Sequence, residues 1–468
     1  MVHMGVRLIN IMQQGIGGTV GLASDDHEAG TPHHLPQQYV GDGALCGGNA
    51  LRTVPTSAAS RVGARDRDSM ASDRGKDLMI KHFSILYVGQ IELENVGRDG
   101  TPADARRYPN ERLIESFGMA EELAVLMDEL GFYALWTAEH HFQHEGYECF
   151  PNLILLGTYL ASRTRRLKFG CGFNIVPMWH PLRLAEDYAM ADILTGGRVI
   201  FGIGRGYHTR EVETFGAPML DNAANMELFE EQMEVIFKAF NEESFSHQGK
   251  HYTIPPHVPY RGYELREITL VPRPMHRPVE IWQPVASGRS LDFMAKHGIK
   301  GMLALNGEKL TDRIMHQYQE LCAKYGRQVQ LGQDICLGLG FCIDETQHKA
   351  IERVRPYHDE RYKWFATFGF VRYTDEQGRP WGTPGAPARL PSIEDGVHQK
   401  AWLCGPPEHL IAQLKEIEAT YPGLEHIMLQ WPEGMPLREF KEQVRVVARE
   451  VMPVFTGAPA AVGSGGAA

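Results

Sequence analysis

Four short segments hold the residue types that do chemistry. Glu139-His140-His141-Phe142 sets a carboxylate beside two imidazoles. Histidine titrates near neutrality and suits proton transfer, and of two adjacent histidines at most one faces a given site. A second segment, Pro177-Met-Trp-His180-Pro181, adds one more histidine. The third, Gly202-Ile-Gly204-Arg205-Gly206-Tyr207-His208, has three glycines in five residues. Glycine lets a backbone approach a ligand closely, and Arg205 offers a fixed fork for phosphate. The fourth, Ala286-Ser287-Gly288-Arg289-Ser290, opens a helix, whose free N–H groups and small hydroxyls cradle phosphate. Each segment also has a plainer reading. Glu139 and His140 can simply share a structural hydrogen bond, the glycines can permit a tight bend, and Ser287 can be an ordinary N-cap. A metal site needs about three ligands in the right geometry. The chain has neither HExxH nor HxH spacing, so no metal is expected.

These segments need a scaffold that brings them together. From Met79 the chain alternates apolar runs with amphipathic helices. Strands are predicted at Phe83–Val88, Tyr133–Trp136, Lys168–Val176, Arg198–Ile203, Val279–Pro284, Lys300–Leu305, Asp334–Cys342 and His426–Gln430. Leu113, Phe117, Ala120, Leu123, Met127 and Leu130, spaced by three and four, mark the first helix, and Gly131 ends it. Further helices are predicted near 153–162, 182–195, 226–240, 288–297, 309–325, 345–365, 407–420 and 437–451. Strand followed by helix, eight times, implies an α/β fold with a parallel sheet, and this span suits a (β/α)8 TIM barrel with insertions. A doubly wound sheet would need a glycine-rich phosphate loop after the first strand. Tyr87-Val-Gly-Gln-Ile-Glu stands there instead. In a barrel the four segments fall at the C-terminal ends of strands and converge on one mouth. Two stretches, 243–278 and 366–401, are too long for simple connections and are expected to be lids or substrate-binding loops.

Composition bounds the function. The chain has 468 residues, with 47 basic against 58 acidic and a net charge of −11, which argues against nucleic acid or an anionic membrane as partner. No apolar run reaches the ~18–20 residues of a membrane span. Seven cysteines, an odd number with no CxxC pair, fit a reducing cytoplasm. Residues 1–78 lack periodicity and are rich in small and polar types, so they are expected to be a disordered extension. Either translation starts at Met79 or the extension is a dispensable tail. Residues 79–455 form the folded domain, and 456–468 a disordered tail.

With these residues in view, the chain resembles the bacterial luciferase-like flavin monooxygenases, and the luciferase α subunit in particular. The matching stretches are Trp136-Thr-Ala-Glu-His140-His141-Phe142, His180-Pro-Leu-Arg-Leu-Ala-Glu-Asp187 and Gly197-Arg-Val-Ile-Phe-Gly-Ile-Gly-Arg-Gly206, with Phe215-Gly216 beyond. Weaker echoes are Pro284–Gly298 and Gly405-Pro-Pro-Glu408. The resemblance spans roughly Ile80 to Val454 and implies a TIM barrel. It implies that His140 is the catalytic histidine and Glu139 its acidic neighbour in the flavin pocket. Gly172 and Phe173 fall where the family has a non-prolyl cis peptide beneath the flavin ring. Arg205, Tyr207, Ser287 and Ser290 fall at positions that hold the FMN phosphate or ribityl chain. Ala286 replaces a glutamate that contributes there, and Gly204 replaces a reactive cysteine, which lowers the expectation of light emission.

The resemblance also implies a mechanism. A separate flavin reductase supplies reduced FMN, O2 adds to give a C4a-peroxyflavin, and a small organic substrate is oxidised while His140 transfers protons. A homodimer is implied as well. Two alternatives stay open: a deazaflavin-dependent oxidoreductase of the same superfamily, and a non-catalytic flavin-binding subunit. Retention of His140 argues against the second.

Overall fold

The computed structural model describes residues 79–457 except Ala286. The readings of 1–78 and of 458–468, and the role given to Ala286, lie outside the described residues. Eight strands close into a barrel: β1 (His82–Tyr87), β2 (Ala134–Thr137), β3 (Lys168–Cys171), β4 (Val199–Gly204), β5 (Ile281–Pro284), β6 (Lys300–Ala304), β7 (Ile335–Ile343) and β8 (His426–Gln430). Every neighbouring pair is parallel, and β1 closes on β8 from His82 opposite His426 to Leu86 opposite Gln430. All eight predicted strands are present. They are buried on both faces, which is why they read as continuous apolar runs rather than alternating ones.

The barrel interior is a packed plug, not a pore. Leu86, Trp136, Ile200, Trp282, Met302, Cys336 and Met428 meet inside it, with Trp136 and Trp282 edge to face at 5.5 Å. Gly202 makes this closure possible, because a Cβ there would come within 1.6 Å of the Cys171 carbonyl oxygen. That tight-bend role is the plainer of the two readings of the glycine-rich segment.

Three expectations need correction. The strand predicted over Lys168–Val176 breaks at Gly172–Phe173, whose peptide is cis, and resumes as Asn174–Ile175 beside β4. The helix predicted over 437–451 runs regularly only to Val446, opens into a wider turn over Val447–Val451, and resumes as Met452–Thr456. Pro453 explains this, since its ring cannot donate the N–H that would bond four residues back and it crowds that carbonyl. Finally, 243–278 forms two small hairpins, His247–Gln248 with Thr253–Ile254 and Pro259–Tyr260 with Tyr263–Glu264. It leads into β5 from the helix Asn222–Asn241, so it joins the barrel at the strand's N-terminal end, away from the mouth. Among the described residues, no helix is long and apolar enough to cross a membrane.

Candidate active site

The C-terminal mouth opens on a cavity of about 310 Å³. The turn after β2 supplies its chemistry. His140 donates its backbone N–H to Phe150 O (2.9 Å), folding this loop back on itself and bringing Glu148 beside the imidazole. His140 Nε2 lies 3.0 Å from Glu148 Oε1, and Nδ1 lies 3.2 Å from both oxygens of Glu211. Glu211 comes from the short helix Thr209–Val212 just after β4. Tyr207 donates to Glu148 (2.8 Å) and sits 3.1 Å from His140 Nε2. Trp364 Nε1 and His208 Nε2 face the other oxygen of Glu148.

His140, Glu148 and Glu211 are all buried. Burial opposes charge on His140, but the two carboxylates outweigh it and raise the imidazolium to about 10. Glu148 and Glu211 are held below the usual carboxylate range by the same partners, against their own burial. His140 is therefore a cation at neutral pH, donating from both ring nitrogens. His140, His208 and Glu211 present three atoms within 4.8 Å of one another, a spacing compatible with a metal ion. Each nitrogen of His140 already faces a carboxylate, however, so a proton accounts for the arrangement.

The sequence-predicted residues divide into groups. Glu139, His140, Gly172, Phe173, Arg205, Tyr207 and Ser290 all line the cavity. Glu139 is not open to a ligand in the same way as the rest. Its carboxylate accepts from Ile175 N–H (2.8 Å), Trp179 Nε1 (2.9 Å) and His141 Nε2 (3.1 Å), so it pins the segment following the cis peptide. His141 turns away onto Phe215, and only His140 faces the cavity. Tyr207 is committed to Glu148 and His140 rather than to a phosphate. Ser287 is exposed and lies off the cavity wall. It caps the helix Gly288–His297 in a reciprocal box with Ser290, the ordinary role weighed for it.

Arg205 also lines the cavity. Its guanidinium bonds to two neutral amide oxygens, Asn222 Oδ1 and Asn225 Oδ1, each at 2.9 Å. No carboxylate pairs with it among the described residues. Gln283 Oε1 and Gln430 Oε1, both buried on the cavity wall, have no protein partner. Those orphaned acceptors, the apolar walls formed by Leu86, Val88 and Phe173, and the unneutralised cation fit a phosphorylated heteroaromatic group such as FMN.

Sequence reasoning missed Glu148, Glu211, Arg361 and Arg372 and gave His208 no role. Glu148 did carry a signal, an acid flanked by Tyr147, Cys149 and Phe150. Of the two insertions expected to contact substrate, only the second reaches the cavity, through Phe368, Phe370 and Arg372. Tyr373, within the second insertion, and Trp402, just after it, are fully buried in the main core.

The model of the luciferase-like monooxygenases matches residues 97–422. The oxygenase component of the flavin-dependent trigonelline monooxygenase of Acinetobacter baylyi is 25% identical over 348 residues, covering 72% of this chain and 89% of that one. Among solved structures, the oxygenating constituent of 3,6-diketocamphane monooxygenase from Pseudomonas putida, in complex with FMN, has a TM-score of 0.61 at 18% identity, covering 80% of this chain and 99% of that one. The coenzyme F420-dependent tetrahydromethanopterin reductase of Methanopyrus kandleri has a TM-score of 0.51 at 17% identity, over 80% and 99%. The two structural likenesses speak for the fold alone, while the family match runs through the segments that build the cavity, and on that match the chain belongs to the luciferase-like monooxygenase family.

Proposed function

We propose that the protein is the oxygenase component of a two-component monooxygenase, taking reduced FMN from a separate reductase and using O2 to oxidise a small organic substrate. The observation that supports this most is one cavity lined both by Arg205, with no carboxylate in ion-pair reach among the described residues, and by His140, set between Glu148 and Glu211. Bound reduced FMN supplies the electrons that put one atom of O2 into substrate and release the other as water. The chain's own residues do the rest. Arg205 holds the phosphate by charge-assisted bonds. Gly172 and Phe173 form a surface on which a flat ring can rest. Phe365, Phe368 and Phe370 close the mouth and keep water out. His140, held between Glu148 and Glu211, keeps its proton across the neutral range and places a fixed positive charge on the cavity wall. The cofactor's identity as FMN, the substrate, the reductase and a homodimeric state all belong to this proposal.

The test is to bind reduced FMN anaerobically, admit O2 and follow absorbance by stopped flow, with a reduced deazaflavin in parallel. A long-lived absorbance distinct from both reduced and oxidised FMN is expected. Immediate reoxidation together with tight deazaflavin binding would move the protein to a deazaflavin-dependent oxidoreductase. His140→Ala should lose oxygenation and keep FMN binding. An unchanged turnover in that variant would show that the histidine carries no chemistry.

A further inference from the structure

Once Arg205 is assigned to a phosphate, the cavity still holds a second unneutralised cation. Arg372, half-buried on the cavity wall, donates one N–H to Val285 O (3.1 Å) and lies over the Phe370 ring at 5.1 Å. No carboxylate stands within ion-pair reach of it among the described residues. Its electrostatic neighbour is another arginine, Arg361, whereas Arg205 feels Arg289 and Glu230, so the two cations occupy different parts of the site. Arg361 is paired with the buried Glu433 and lies over Phe365 at 4.5 Å, and its Nε has no partner. Two guanidinium groups and one carboxylate leave one net positive charge on this wall. Burial and repulsion from Arg361 pull Arg372 below its ordinary pKa, yet a guanidinium stays charged at any working pH.

An unpaired charge in a low-dielectric wall is costly, and a ligand of opposite sign relieves that cost. The surroundings narrow the ligand further. Phe365, Phe368 and Phe370 form an aromatic wall beside the guanidinium, and Tyr207 meets Phe368 and Phe370 at 5.5 and 4.9 Å. A fork of parallel N–H donors beside aromatic faces matches a planar acid attached to a ring. We propose that Arg372 anchors the carboxylate of the substrate, and that the substrate is an aromatic or heteroaromatic acid whose ring rests on the Phe365–Phe370 wall. The proposal rests on the flavin reading, which gives Arg205 and the rest of the cavity to the cofactor.

Benzoate and its neutral isostere benzamide are the probes, titrated calorimetrically into the full-length protein with and without saturating FMN. FMN affinity is measured separately. Benzoate is expected to bind at least tenfold tighter than benzamide. R372Q should erase that difference while changing the FMN Kd less than threefold, and R372K should keep part of it. Equal binding of the two probes, no benzoate binding, or unchanged discrimination in R372Q would overturn the proposal. So would an R372Q variant that loses FMN as severely as R205Q, because the guanidinium would then belong to the cofactor. Should R372Q not fold, the comparison of probes on the unaltered protein decides alone. Failure of that protein to bind FMN would sink the flavin reading instead, and the cofactor-free titration would still judge Arg372.

Discussion

At the scale of the residue, the site is an argument about where protons and charges are held. His140 titrates near 10 in the folded protein against an ordinary 6.5, so its interaction with Glu148 and Glu211 is fully stabilising below about 6.5 and is lost as pH rises toward 10. On the acid side the contribution of the two glutamates is fully present above the ordinary carboxylate value of about 4.5 and is lost as pH falls through their lowered values. Urea midpoints measured against pH should therefore decline from 6.5 to 10, and His140→Gln should flatten that slope. Glu148→Gln removes one of the two carboxylates, so the His140 titration followed by NMR should drop by more than one pH unit, and flavin reoxidation should gain a pH inflection that the unaltered protein lacks. Under the proposed function, Arg205→Gln exchanges a charge-assisted bond to the phosphate for a neutral one. Such bonds contribute about 1.5–3 kcal/mol, so FMN affinity should fall by about 10- to 100-fold.

At the scale of the element, the helix Gln347–Phe365 decides how the mouth is covered. It carries Arg361 and Phe365 into the cavity, and it is held to the loop after β1 by the ion pair of Arg106 with Glu360 at 2.8 Å, both fully buried. Glu360 also accepts from the Gly97 N–H and from Tyr147. Removing one member of such a pair costs about 3–5 kcal/mol, so Arg106→Met should lower the melting temperature by several degrees and loosen substrate retention more than flavin binding. A double change that also replaces Glu360 by Gln should recover part of the loss. The elements themselves were legible in the sequence because burial on both faces writes a strand as an unbroken apolar run, as Phe83–Val88 and Ile335–Cys342 show. The site was legible where its residues follow strands directly, as His140 and Arg205 do. It was not legible where the fold joins distant positions. Glu211 lies 71 residues from His140, and the Arg361–Glu433 pair is separated by 72, so no local pattern announces either. The strand Trp402–Gly405 was missed for a related reason. It pairs with the C-terminal end of β7, Gly340–Ile343, and only the fold brings it there across the 344–401 segment.

At the scale of the whole molecule, that small strand has a consequence of its own. The chain leaves β7 at Ile343 and re-enters the sheet at Trp402, which pairs with Gly340 on the same strand. Everything between Ile343 and Trp402, including Arg361, Phe368, Phe370 and Arg372, is thus a cassette whose two ends lie on neighbouring strands. Loop closure grows only slowly with length, so a cassette with adjoining ends can lengthen, shorten or be exchanged while the eight staves stay in place. The residues proposed to serve oxygen chemistry and the cofactor, His140, Glu148, Glu211 and Arg205, all lie outside it. Grafting residues 344–401 from a relative with another substrate should therefore change which compound is oxidised while oxygen consumption and FMN affinity stay close to the parent. A graft that abolished flavin binding would show that the two jobs are not separable. Under the proposed function, the choice of what to oxidise belongs to a replaceable part of the barrel.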